Sequence, residues 1–148
     1  MTSGTTNGNA EAKPAIDMQK LAEVNQLVIR TLGEAVSLMA PMSKYQQTTI
    51  ADIKARVLPP IVLQQARVFR HKGFPVAFVS WAMVSEEVEQ RLLQNPGDVP
   101  KANEWRSGRK LFFVDIASPK GNEEQIKAAV QKRLAEASSE KGGAPALG

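Results

Sequence analysis

Asp115 stands inside Leu111-Phe112-Phe113-Val114-Asp115-Ile116, a run that is otherwise wholly apolar and reads as a buried strand. An unpaired charge is costly to bury. This carboxylate must therefore find a cation or hydrogen bonds, take up a proton, or open onto a cleft where it can act as a base. A plainer role is also open, in which a strand-end carboxylate caps the loop Ala117-Ser118-Pro119-Lys120-Gly121.

Few other groups compete for chemistry. There is no cysteine, which excludes thiolate nucleophiles, disulfides and cysteine-based zinc sites. The single histidine, His71, precedes Lys72-Gly73 in what reads as an exposed turn, without partners for a metal. No G-x-S-x-G elbow surrounds Ser43 or Ser80, so a serine triad with His71 and Asp115 is disfavoured. Phosphate-binding glycine loops are absent too. Trp81 reads as core, whereas Trp105, among Glu104, Arg106, Ser107 and Gly108, either anchors a loop or lines a cleft.

The elements that must position Asp115 follow from periodicity. Asp17 is a candidate N-cap for a long helix whose Leu21, Val24, Val28, Leu32, Ala35 and Met39 form one apolar stripe, ended by Pro41. Thr49 and Asp52 make a capping box before a short helix carrying Ile50, Ile53 and Val57, with Pro59-Pro60 as its expected stop. A strand at 66–70, a turn at His71-Lys72-Gly73 and a strand at 75–82 make a hairpin. Ser85 starts a helix with Val88, Leu92 and Leu93 inward and Asn95-Pro96-Gly97 at its end. The Asp115 strand follows, then a helix from about Glu123 with Ile126, Val130 and Leu134 on one face. The order helix, helix, hairpin, helix, strand, helix predicts an α+β fold with a mostly antiparallel sheet flanked by helices.

The 148 residues suit a single domain, here 16–137, between a tail over 1–15 and another over 138–148. The polar start lacks the pattern of a secretory signal and no apolar run is long enough to span a membrane, so a cytoplasmic protein is expected. The net charge is +4, and from Ile53 to Val84 there are Lys54, Arg56, Arg67, Arg70 and Lys72 but no acidic residue. That stretch could face an acidic partner. Nucleic acid is disfavoured as that partner, because no reader motif or aromatic-rich basic surface is present.

Two blocks, from Gly73-Phe74-Pro75 through Ser80-Trp81-Ala82 and from Trp105-Arg106-Ser107-Gly108 through Val114-Asp115, together with Ala40-Pro41, Val57-Leu58-Pro59, Ala117, Pro119 and Gly121, resemble the RTX toxin-activating lysine acyltransferases, the hemolysin C family. The resemblance covers roughly residues 32–134. It implies a GNAT-like fold, with a fatty acyl group moved from acyl carrier protein to lysines of an RTX-type protoxin. The family's essential aspartate falls on Asp115. Its essential histidine falls on Ser43 in Pro41-Met42-Ser43-Lys44-Tyr45, where a hydroxyl is no base near neutral pH.

Trp105, Ser80, Arg70 and Lys72 complete the candidate set as substrate-binding residues. No metal or bound cofactor is expected, the donor being acyl-acyl carrier protein as substrate. The partners implied are acyl carrier protein and an RTX-like protein, and a homodimer is one arrangement left open. The alternative function is a catalytically silent relative that binds either partner. The resemblance also makes this a short, divergent member, since it implies further strands after the last helix.

Overall fold

The computed structural model describes residues 17–140. The expected tail over 1–15 lies outside the described residues, as do residues 141–148. The described residues divide after Arg30 into two units, 17–30 and 31–140. The described part of the first is the leading portion of helix α1, and everything that concerns the site belongs to the second.

Helix α1 (Met18–Met39) starts where expected, with Lys20 N donating to Asp17 Oδ1 at 3.1 Å. Its apolar stripe is only partly core: Ala35 and Met39 are buried with Leu38, Val28 and Leu32 are half-buried, and Leu21 and Val24 are exposed. Periodicity marks a face that can be buried but not what covers it. A 3-10 turn, Ser43–Tyr45, follows, and Gln46 Nε2 ties it to the end of α1 by donating to Ala40 O (2.6 Å) and Met42 O (2.9 Å).

Helix α2 (Ile50–Asp52) opens with the expected capping box: Asp52 N donates to Thr49 Oγ1 at 3.0 Å, and Thr49 N to Asp52 Oδ2 at 2.9 Å. The chain then widens into a π turn, Ile53–Val57, and continues as α3 (Leu58–Val62). Pro59 and Pro60 therefore do not stop the helix. They occupy the first turn of α3, where a missing N–H leaves no ladder bond unmade, so the expected boundary falls instead at Leu63.

Strands β1 (Ala66–His71), β2 (Phe74–Val84) and β3 (Lys110–Ala117) form an antiparallel sheet in the order β1-β2-β3. The β1–β2 turn places Lys72 at φ 53° and Gly73 at φ 85°, the left-handed pair that a two-residue hairpin needs. Past Ser80, which pairs with Ala66 at the start of β1, the segment around Trp105 takes over that edge of β2. Met83 N donates to Trp105 O (2.9 Å), and Gly108 N to Met83 O (3.2 Å). Gly108 has no alternative there, because a Cβ would lie 2.5 Å from Val84 O.

Ala77, Val79, Trp81, Met83 and Ile116 pack one sheet face against Ile126 and Val130 of α5 (Glu123–Glu140). Ala82, Val84 and Trp105 form the core of the other face, with Val88 of α4 (Glu86–Gln94) against it. In α4, Ser85 caps Val88 N as expected and Leu92 is buried. Leu93 is exposed, contrary to its expected inward place, because the α4 contact is a narrow stripe. Helix α5 runs to Glu140, so residues 138–140, expected in a tail, are helical. Helices on an antiparallel sheet make this an α+β fold, as the element order predicts. Among the described residues no helix is long and apolar enough to cross a membrane.

Candidate active site

A bulge in β3 decides where Asp115 points. Ser80 pairs with Asp115, but the next residue of β2, Trp81, pairs with Phe113, leaving Val114 as the extra residue. Leu111 and Phe113 pack on the α5 side of the sheet, and strict alternation would put residue 115 there as well. The bulge shifts the parity: Ile116 takes the α5 side, and Asp115 turns to the other face with its cross-strand partner Ser80.

On that face Asp115 meets two donors from the connection between α1 and α3. Tyr45 Oη donates to Asp115 Oδ1 at 3.1 Å, and Arg56 Nε to Oδ2 at 3.0 Å. The 3-10 turn supplies the phenol and the π turn supplies the guanidinium. Lys44 Nζ donates to Ile116 O at 3.3 Å and lies 3.7 Å from Glu123 Oε2, linking the turn to β3 and the start of α5. These groups wall a cleft of about 360 Å³ that Thr48, Asp52 and Val57 also line. The Asp115 side chain is only 1% exposed at its base, whereas that of Arg56 is 36% exposed.

Burial raises the Asp115 pKa above its ordinary value, against the opposing pull of the Arg56 charge, the Arg56 and Tyr45 hydrogen bonds and the Lys44 charge. Tyr45 is pushed well above the phenol range, first by burial and then by the neighbouring carboxylate. The site thus pairs a carboxylate able to accept a proton with a phenol that stays protonated.

The remaining sequence candidates are scattered. Ser43 is exposed at the first position of the 3-10 turn, and the phenol two residues later reaches the carboxylate. Ser80 is fully buried beside Asp115, its Oγ without a hydrogen-bond partner among the described residues. Trp105 is buried in the core with Ala82 and Val84 and so occupies the loop-anchor place; Gln65 Nε2 donates to its carbonyl at 3.1 Å. Arg70 pairs with Glu34 at 2.5 Å and borders a separate cleft on the α5 side, and Lys72 is exposed in the hairpin turn. Sequence reasoning missed Tyr45, Arg56 and Lys44. Arg56 was hidden in the basic stretch, but Tyr45 had a signal: it is the chain's only tyrosine, two residues past Ser43.

The family model described as HlyC, the RTX toxin acyltransferase family, matches residues 24–143. The chain belongs to this family. It is 25% identical over 115 residues to the lysine-acyltransferase RtxC of Vibrio cholerae, covering 77% of this chain and 72% of that protein. It is 32% identical over 91 residues to the RTX-I toxin-activating lysine-acyltransferase ApxIC of Actinobacillus pleuropneumoniae, covering 62% of this chain and about half, 52%, of that protein. To the protein-lysine myristoyltransferase HlyC of Escherichia coli it is 26% identical over 106 residues, covering 72% of this chain and 62% of that protein. Asp115, Tyr45 and Arg56 all lie inside the region that matches the family.

Proposed function

We propose that this family member is a protein-lysine N-acyltransferase that moves a fatty acyl group from acyl carrier protein to lysines of an RTX-type protein in the cytoplasm, with chemistry at the Asp115 cleft. The observation that carries the reading is Asp115 itself: a buried carboxylate of raised pKa, turned by a bulge into a cleft, in a chain of this family. A lysine amine must shed its proton to attack a thioester. With an ordinary pKa of about 10.4, only roughly one amine in 10³ is free at pH 7, so a base at the cleft speeds the step. Carbon–nitrogen bond formation and carbon–sulfur cleavage then give an amide and a thiol. The stretch from Ile53 to Val84, with Lys54, Arg56, Arg67, Arg70 and Lys72 and no acidic residue, suits an acidic carrier.

The test is purified protein with acyl-acyl carrier protein and a recombinant RTX-type protein, read by intact mass and peptide mapping. Mass gain of one acyl group on a lysine, with release of the carrier thiol, is expected. No transfer, under conditions where a family member from a toxin operon transfers, overturns the activity. That outcome would favour a silent relative that binds the carrier or the RTX-type protein, a reading supported by one observation. The only imidazole in the chain, His71, is exposed at the end of β1, and the cleft is lined without one.

A further inference from the structure

An amine entering the cleft does not meet Asp115 first. The carboxylate is buried, and each of its oxygens already accepts a hydrogen bond, Oδ1 from Tyr45 and Oδ2 from Arg56. Of these two donors only the phenol can both accept and give a proton, since a guanidinium has no acceptor and stays charged. Tyr45 is half-buried, lines the cleft and touches Oδ1 at 3.1 Å.

Position 43 is poorly placed for the same task. A 3-10 turn has about three residues per turn, so residues 43 and 45 project about 120° apart around its axis. With Tyr45 on Asp115, Ser43 faces elsewhere, and it is exposed.

We infer that Tyr45 is a catalytic residue of the acyl transfer, relaying the proton of the acceptor amine to Asp115. The inference rests on the acyltransferase reading. As the amine nitrogen bonds to the thioester carbon, its proton passes to Tyr45 Oη while the phenol proton passes to Asp115 Oδ1. The carbon–sulfur bond then breaks, and the proton held by Asp115 returns through Tyr45 to the leaving thiolate. The sum is amine plus thioester to amide plus thiol, with enzyme protons restored. Tyr45 is never left as a phenolate, which suits a phenol whose ionisation burial and Asp115 oppose. The charged groups that face it are Asp115 from β3, Arg56 from the π turn, Glu123 from α5 and Lys44 on its own turn, the last 5.2 Å from its ring. Asp52 lines the same cleft.

Tyr45→Phe keeps the ring and removes the relay. Its kcat is expected to fall on the order of 10²–10⁴-fold, with the KM for the acceptor protein little changed and the melting temperature near the parent's. The acid limb of its residual pH–rate profile is expected to move up, because the lost hydrogen bond favoured the Asp115 carboxylate. Tyr45→His is expected to regain activity and acquire a limb in the imidazole range. Ser43→His, added to Tyr45→Phe, is expected to regain none.

A parent-like kcat and pH profile in Tyr45→Phe overturns the relay and leaves the acyltransferase reading standing. Recovery by Ser43→His overturns it as well, by assigning the role to position 43. A parent protein that transfers nothing overturns both.

Discussion

Two arginine–carboxylate pairs in this molecule have opposite electrostatic outcomes. From the last turn of α4, Arg91 forks Glu104 of the following loop with Nη1 at 2.9 Å and Nη2 at 2.7 Å, and also reaches Asp98 Oδ2 at 3.2 Å. Lys101 N adds a backbone donor to Glu104 at 2.8 Å. Glu104 is held down at about 2, chiefly by the Arg91 hydrogen bonds. Arg56 gives Asp115 a single N–H, the phenol gives one more, and burial still wins, so that carboxyl rises. Denticity and solvent, rather than the identity of the pair, decide whether a carboxylate is fixed as an anion or kept ready for a proton.

The first pair is a clamp. It closes the 95–104 loop and leads the chain to Trp105 and Gly108, which bind the edge of β2. The second is suited to chemistry, because a base must have a pKa near enough to the working pH to take a proton.

The largest effect separating the two is on rate. Asp115→Asn is expected to lower acyl-lysine formation on the order of 10²–10⁴-fold, while Glu104→Gln leaves the rate of the folded protein close to the parent's. Quantitative mass spectrometry of the acceptor checks this, and similar losses in the two variants would erase the distinction.

Next comes packing on the clamp side. Gly108→Ala would put a methyl 2.5 Å from Val84 O and 2.6 Å from Ser85 Cα, both backbone atoms that cannot swing away. A loss of about 1–3 kcal/mol is expected from the denaturant midpoint, with the Asp115 titration unmoved.

Smaller effects appear in stability against pH, with opposite signs. Because the folded pKa of Asp115 is raised, the native state holds more protons than the unfolded chain between the ordinary value of 3.8 and the raised one, and stability falls as pH climbs through that window. Asp115→Asn removes the slope, so relative to the parent the variant gains stability between pH 4 and pH 7, by about 1.4 kcal/mol for each tenfold gain in proton affinity that folding gives the carboxylate. Denaturation at both pH values reads it. Glu104 behaves in reverse: its contribution is present above 4.5 and lost as pH falls towards about 2. Glu104→Gln is expected to cost stability at pH 7, since Arg91 and Lys101 N lose the carboxylate they donate to, and the gap to the parent should close over that acid range.

Much of this was legible in the chain. The charge in an apolar strand marked Asp115, and the capping box, the hairpin turn and the Ser85 start were found where their residues placed them. What escaped were features that depend on a partner or on one extra residue. The bulge at Val114 changes which face Asp115 occupies without leaving a glycine or proline as a sign. Arg56 reads as one more surface cation until the π turn aims it inward, and that turn also carries the chain through Pro59-Pro60. The exposed Leu21 and Leu93 have the right spacing for core but not the cover. Trp105, open between two roles in sequence, is settled into the core by backbone bonds along β2 that no side-chain pattern announces.

The contrast between the two carboxylates can be measured directly in one sample, by carbon-detected NMR titration of protein labelled at its side-chain carboxyls. Asp115 is predicted to titrate above 3.8 and Glu104 at about 2, with Asp115 moving higher still in Arg56→Gln. An Asp115 that titrates at or below the ordinary aspartate value would contradict its role as the base at the cleft.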